Sequence, residues 1–415
     1  MTRIALLNIG SELLRGRTVN TNASQIGLML GSQGFALNTT WVIHDEEEAI
    51  TSAVVDLMNR HEVVLITGGL GPTTDDITKK TLLKIFGGEM VCHEATLERI
   101  RTFLSRRNMP LLENNRQQSF VPSTCTVIEN EMGTAPGMVF KKDGKLIVSM
   151  PGVPFEMEHL MRKGVLPELK NEFLKAHLAT SVVRTHGIPE SRIADRMEKI
   201  VADFDVRIMV AYLPSFDGTK IELKIQGPPS QADELDATVK NAQKAVAKEL
   251  RDYVYSLEDL PPVEILCRHL LNQNMGLATA ESCTGGAISA KIVEQSGVSA
   301  VFMGGVVAYH EQIKSGWLGV SSELIKQHGV VSAGVAEAMA SGVRERMKTA
   351  IGLSITGMVE ANGDNQTGAW IGFSDSSGNH SCQIKLFKDR KINIQYATQA
   401  ALVFAVRMLC PLSLD

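Results

Sequence analysis

Residues 275–293 read Met275-Gly276-Leu277-Ala278-Thr279-Ala280-Glu281-Ser282-Cys283-Thr284-Gly285-Gly286-Ala287-Ile288-Ser289-Ala290-Lys291-Ile292-Val293. An apolar stretch, a polar hexapeptide ending in two glycines, and a helix-like segment spell strand, turn, helix, the unit of a layered α/β fold. Gly285 and Gly286 let the backbone approach a ligand closely, and the first N–H groups of the following helix are expected to be free to receive negative charge. Such a turn suits Ser282 as a nucleophile beside its oxyanion donors. The plainer alternative is that Ser282 and Thr284 cap the helix.

Outward from this turn the chain divides into three regions. With 415 residues it is long for one hydrophobic core. In residues 1–167, short β-type runs (4–9, 63–67, 145–150) alternate with helix-like segments (23–30, 46–60, 75–85, 95–106). That alternation predicts a parallel, helix-covered sheet with ligands at the carboxyl ends of its strands. Residues 168–259 follow a β-α-β-β-α-β order, the split-βαβ pattern of a small α+β domain. Leu260-Pro261-Pro262 punctuates the chain, and a third α/β region fills 260–415.

After the strand ending at Ile66 comes Thr67-Gly68-Gly69-Leu70-Gly71-Pro72-Thr73-Thr74-Asp75-Asp76. It lacks the Gly-Lys-Ser/Thr ending of a P-loop and the third glycine of a dinucleotide fingerprint, yet Gly68, Gly69 and Gly71 can cradle a phosphate with backbone N–H groups. Asp75 and Asp76 either stabilise the positive end of a helix or hold a divalent metal over a pyrophosphate. Gly10-Ser11-Glu12 and Asn20-Thr21-Asn22 follow the first strand and should converge on the same sheet edge.

These motifs, with Asn115-Arg116-Gln117, Gly133-Thr134-Ala135-Pro136-Gly137 and Met150-Pro151-Gly152-Val153-Pro154, resemble the amino-terminal half of the competence/damage-inducible CinA family. That half is similar to molybdopterin-binding domains. The resemblance implies a three-layer domain with metal-dependent ADP-ribose pyrophosphatase activity. Asn20, Asn22 and the three glycines would bind substrate, and Glu12 with Asp75 or Asp76 would hold Mg, Mn or Co. Pterin binding is the alternative. The middle region then corresponds to a KH-like domain. The third resembles nicotinamide-nucleotide amidases through the hexapeptide, Gly304-Gly305-Val306-Val307-Ala308-Tyr309, Lys314, His328-Gly329, Val331-Ser332, Ser354-Ile355-Thr356-Gly357 and Asp389-Arg390. By that likeness Ser282 is the nucleophile, Lys314 its base and Tyr309 a hydroxyl partner. Thr284, Gly285, Gly286, Thr356 and Arg390 meet the substrate, without a cofactor.

The chemistry holds without the family, because hydrolysing a carboxamide takes a nucleophile, a base, oxyanion donors and a proton for departing ammonia. A lysine base must lose its proton near neutrality, so its pKa has to fall by roughly 3, about 4 kcal/mol, through burial or a nearby cation such as Arg390. His310 is the rival base. His328, before Gly329 at a helix end, reads as structural.

One stretch departs from the amidase pattern. Residues 358–370 lack the glycine-rich loop of the relatives, and Glu360 and Asp364 bring charge that opposes a nucleotide phosphate. The runner-up is therefore a nucleotide- or pterin-binding regulatory protein without amidase turnover. The balance of 42 basic and 46 acidic side chains, net −4, offers no field for nucleic acid or an anionic membrane. Six cysteines without a Cys-x-x-Cys pair suggest neither zinc nor disulfides. No leader or membrane-spanning run is apparent, so a cytoplasmic protein is expected. A homodimer is implied only by the resemblance.

Overall fold

The computed structural model describes residues 2–71, 77–173, 176–360, 367–386 and 389–412, so Asp75, Asp76 and Asp364 lie outside the described residues. The chain forms two compact units that divide between Leu178 and Ala179.

In the first unit a six-stranded sheet runs in the order Leu37–Ile43, Ile4–Ile9, Val63–Thr67, Lys145–Met150, Gly137–Lys142, Thr126–Ile128. Its first four strands are parallel, and the last two each pair antiparallel with the strand before them in that order. The period of two along Ile4–Ile9 sends Ile4 and Leu6 into one core and Ala5, Leu7 and Ile9 into another. Helix Thr21–Gly31 covers the first with Ile26, Met29 and Leu30, and Glu47–Arg60 covers the second with Ile50, Val54 and Leu57. The result is three layers. All three strands expected here keep their bounds, while the helix expected from residue 75 is described only from Thr78 to Phe86.

Two sheets share the second unit. A four-stranded one, ordered Met209–Ser215, Gly218–Gly227, His177–Thr185, Val254–Ser256, packs with helices Glu190–Val201 and Ala232–Glu249, which is the expected split-βαβ order. The other has five strands in the order Phe302–Val307, Leu277–Glu281, Ile351–Met358, Gly368–Ser374, Asn379–Lys385, the first three parallel. Helices Pro262–Gln273, Ala287–Val293 and Arg390–Leu409 pack on one face of it, and Ala333–Met347 with Ser322–His328 on the other. Among the described residues no helix is long and apolar enough to cross a membrane.

Candidate active site

Strand Leu277–Glu281 lies between two parallel neighbours, so its carboxyl end opens where ligands gather in such sheets. Alternation places Leu277 in the core on the side of helix Ala287–Val293, and Ala278 and Ala280 in the opposite one. Glu281 shares the parity of Leu277 and turns toward that helix. Gly285 (φ +64°) and Gly286 (φ +101°) are left-handed and fold the helix start back over the strand end.

The fully buried Glu281 carboxyl collects five donors in this fold. Oε2 accepts from the Thr284 hydroxyl at 2.7 Å and from the N–H groups of Gly286 and Ile288 at 3.0 Å each. Oε1 accepts from Ser289 N–H at 2.8 Å and Ser289 Oγ at 2.6 Å. Thr279 Oγ1 lies 2.7 Å from Ser289 Oγ, and a Cβ on Gly305 would sit 2.2 Å from that hydroxyl, so the glycine makes room for the chain of bonds. Such saturation offsets the cost of burying an acid.

The first N–H groups of the helix are therefore not free, contrary to the sequence-based expectation: Glu281 takes three, and Ala287 N–H bonds Thr284 O at 3.2 Å. Nor do Ser282 and Thr284 cap the helix. An acid on the strand performs that task, which leaves Ser282 Oγ for other chemistry. Sequence reading misses Glu281 because its partners lie three to eight residues on and meet it only once the glycines close the turn.

Lys314, in helix Glu311–Gly316, is 1% exposed, and its Nζ lies 2.9 Å from Ser282 Oγ and 2.7 Å from Ala308 O. Burial lowers its pKa below the ordinary 10.5; Cys283 and Glu311 oppose that shift. Removal from water, the first of the two routes expected, thus dominates, and Arg390 is not among the causes. Cys283, next to Ser282, is held as the neutral thiol: burial pushes its pKa up to about 12.

Other expected residues arrive differently. Tyr309 is 63% exposed, and its hydroxyl accepts from Arg390 at 3.1 Å. Arg390 also reaches Glu360 Oε2 at 3.3 Å. It begins helix Arg390–Leu409, capped by the Asp389 side chain accepting from Ile392 N–H. Thr356 is buried and donates its hydroxyl to Val330 O at 2.9 Å, which leaves only lone pairs for a ligand. His310 is exposed, and its ring caps its helix by accepting from Gln312 N–H, a structural task for the rival base.

In the first unit, Glu12, Gly68, Gly69 and Gly71 line one cavity of about 390 Å³. Asn20 and Asn22 line a smaller one that shares Ile9, Glu12 and Gly152 with it. Gly68 is essential to the close approach of the loops, since a Cβ there would lie 2.1 Å from Ile9 O. Asn22 Nδ2 donates to Gly152 O at 2.8 Å, tying two loops together, while its buried Oδ1 has no partner among the described residues. Asn20 caps helix Thr21–Gly31. Sequence reading missed Asp45, Gln118 and Glu156 in the larger cavity. Glu156 lies two residues beyond the recognised 150–154 motif, and burial raises its pKa against an opposing bond from Asn130. Among the described residues no three potential ligands gather as a metal site. Of the expected ligands Glu12 lines the cavity, and Asp75 and Asp76 lie outside the described residues.

These folds and the buried Ser–Lys pair define a class: a molybdopterin-binding-like α/β domain, a small KH-like domain, and an α/β domain whose strand–turn–helix unit carries Ser282. A molybdopterin binding domain matches residues 5–171, the damage-inducible protein CinA KH domain 180–256, and the CinA C-terminal domain 261–409. The chain belongs to the CinA family. A competence-damage inducible protein of Acetivibrio thermocellus is 36% identical over 86% of both chains, and a CinA-like protein of Cytophaga hutchinsonii 32% over 97% of both. A solved CinA structure from Thermoplasma acidophilum is 34% identical, covering 39% of this chain and 94% of its own, with a TM-score of 0.36.

Proposed function

We propose that the C-terminal region is an amidohydrolase that converts nicotinamide mononucleotide to nicotinate mononucleotide and ammonia, using Ser282 as nucleophile and Lys314 as base. The observation that carries this reading is the buried Lys314 amine 2.9 Å from Ser282 Oγ. In its neutral form the amine takes the serine proton as Oγ attacks the carboxamide carbon. The resulting ammonium returns that proton to the departing nitrogen, so ammonia leaves and an ester remains on Ser282. Water, deprotonated by the same amine, then cleaves the ester. Arg390, held by the Tyr309 hydroxyl, is the group that meets the phosphate. Wild-type protein is expected to release ammonia from the mononucleotide at least a thousandfold faster than Ser282→Ala. Equal rates would refute the amidase.

A nucleotide-binding role without turnover is the second reading, favoured by one observation: Glu360 already occupies Arg390.

The first unit is proposed to cleave a nucleoside diphosphate sugar such as ADP-ribose in the glycine-lined cavity, with a divalent ion assisting. ADP-ribose hydrolysis should stop on chelation and return with added magnesium, manganese or cobalt. Hydrolysis indifferent to chelation would remove the metal.

A further inference from the structure

We infer that the oxyanion of the Ser282 reaction is held by the main-chain N–H groups of Cys283 and Thr284, and that Glu281 is the positioning residue that aims them. This rests on the proposed role of Ser282 as an acyl-transfer nucleophile.

Any oxyanion formed by attack of Ser282 Oγ needs N–H groups close to that atom, and the turn 282–289 is the segment next to it. Ser282 N–H is spent on Ile355 O at 3.0 Å. Gly285 N–H closes the turn onto Ser282 O at 3.2 Å, and Ala287 N–H binds Thr284 O. Gly286, Ile288 and Ser289 all donate to the Glu281 carboxyl. Two donors remain. Thr284 N–H has no acceptor among the described residues, and Cys283 N–H has none there outside its own residue. They are the two central N–H groups of a four-residue turn closed from its ends, the ones such a turn leaves unbonded. Donation from the residue after the nucleophile is also what a strand-to-helix elbow provides.

Glu281 fixes this arrangement without touching the reacting atoms. Its 2.7 Å bond from the Thr284 hydroxyl pins the side chain of the very residue whose N–H is free. Its bonds to Gly286, Ile288 and Ser289 hold the far limb of the turn. The helix end is thereby saturated, so the charge that develops on the substrate oxygen falls to the turn. In the reaction, the Oγ–C bond forms and the carbonyl π pair moves onto oxygen, where both N–H groups receive it. When the pair returns, the C–N bond breaks and ammonia departs with the proton from Lys314.

A fluorophosphonate tests this on the full-length protein, because it phosphonylates an activated serine with loss of fluoride and places a phosphoryl oxygen where the oxyanion would be. Thr284→Val removes the hydroxyl bond and keeps the shape. Glu281→Gln keeps the size but turns an amide that cannot accept toward part of the donor set. Labelling of Ser282, located by peptide mass, should slow about 10- to 100-fold in Glu281→Gln and about 5- to 10-fold in Thr284→Val. The rise of labelling with pH should keep its wild-type midpoint, since Lys314 is bonded to Ser282 and Ala308, not to the carboxyl. Wild-type rates in Thr284→Val and in folded Glu281→Gln would overturn the inference, as would a slowing that comes with a displaced midpoint or a wild-type Ser282 that does not label. Ammonia release is read in parallel. Protein that labels as expected but leaves nicotinamide mononucleotide intact keeps the inference and refutes the substrate.

Discussion

Lys314 has exchanged water for one hydroxyl and one carbonyl oxygen, and its proton pays the difference. Removal from solvent penalises the ammonium, so the folded pKa lies below the ordinary 10.5. The sign for activity follows: a base acts when unprotonated, so turnover should climb with pH along a limb whose midpoint lies below 10.5. A pH–rate profile of kcat/KM checks this, and a limb centred at or above that value would deny the lysine its role. At this scale the sequence is legible where chemistry is carried by one residue type at a motif position, as with Ser282 and Lys314. It is not legible for Glu281, whose meaning depends on N–H groups that a two-glycine reversal brings back to it. Tyr309 is placed by the sequence at the right strand exit, but its hydroxyl faces Arg390 because an exposed guanidinium in reach offers the better donor.

Helix Arg390–Leu409 and the segment before residue 361 face each other through two bonds of unequal strength. Buried Asn393 donates to Val359 O at 2.6 Å and fixes the backbone beside Glu360. The Glu360–Arg390 pair is exposed on both sides, so solvent screens it and a phosphate can displace it. Glu360→Gln is therefore expected to lower KM for nicotinamide mononucleotide about 2- to 5-fold at low salt, with kcat unchanged and the gain shrinking as salt rises. A KM that stays put or increases would contradict this. The strands are the best-read elements, since Ile4–Ile9, Val63–Thr67 and Lys145–Met150 are apolar runs with clear ends. Helix starts are read less well: Thr21–Gly31 begins two residues earlier than its apolar period because the Asn20 cap lies outside that period.

The second unit is joined by side chains far apart in sequence, which is why no local pattern announces it. Arg407, near the end of the helix that Arg390 begins, donates to His186 O at 3.0 Å and Tyr253 O at 2.6 Å. The His186 ring stacks on Tyr396 with centroids 5.2 Å apart. Burial, aided by Arg407, lowers the His186 pKa from 6.5 to about 4. With the folded value depressed, the unfolded chain binds the proton first. The associated stability is whole above pH 6.5 and is lost as pH falls toward 4, about 3 kcal/mol. His186→Phe keeps the stack, and its thermal midpoint should fall less than that of the wild type between those pH values; parallel losses would contradict the assignment. For the molecule as an enzyme, the deciding measurement is ammonia release from nicotinamide mononucleotide by wild type, Ser282→Ala and Lys314→Ala side by side at saturating substrate. The account predicts release by the wild type and a loss of at least a thousandfold in both variants, whereas a Lys314→Ala protein that works at the wild-type rate would contradict it.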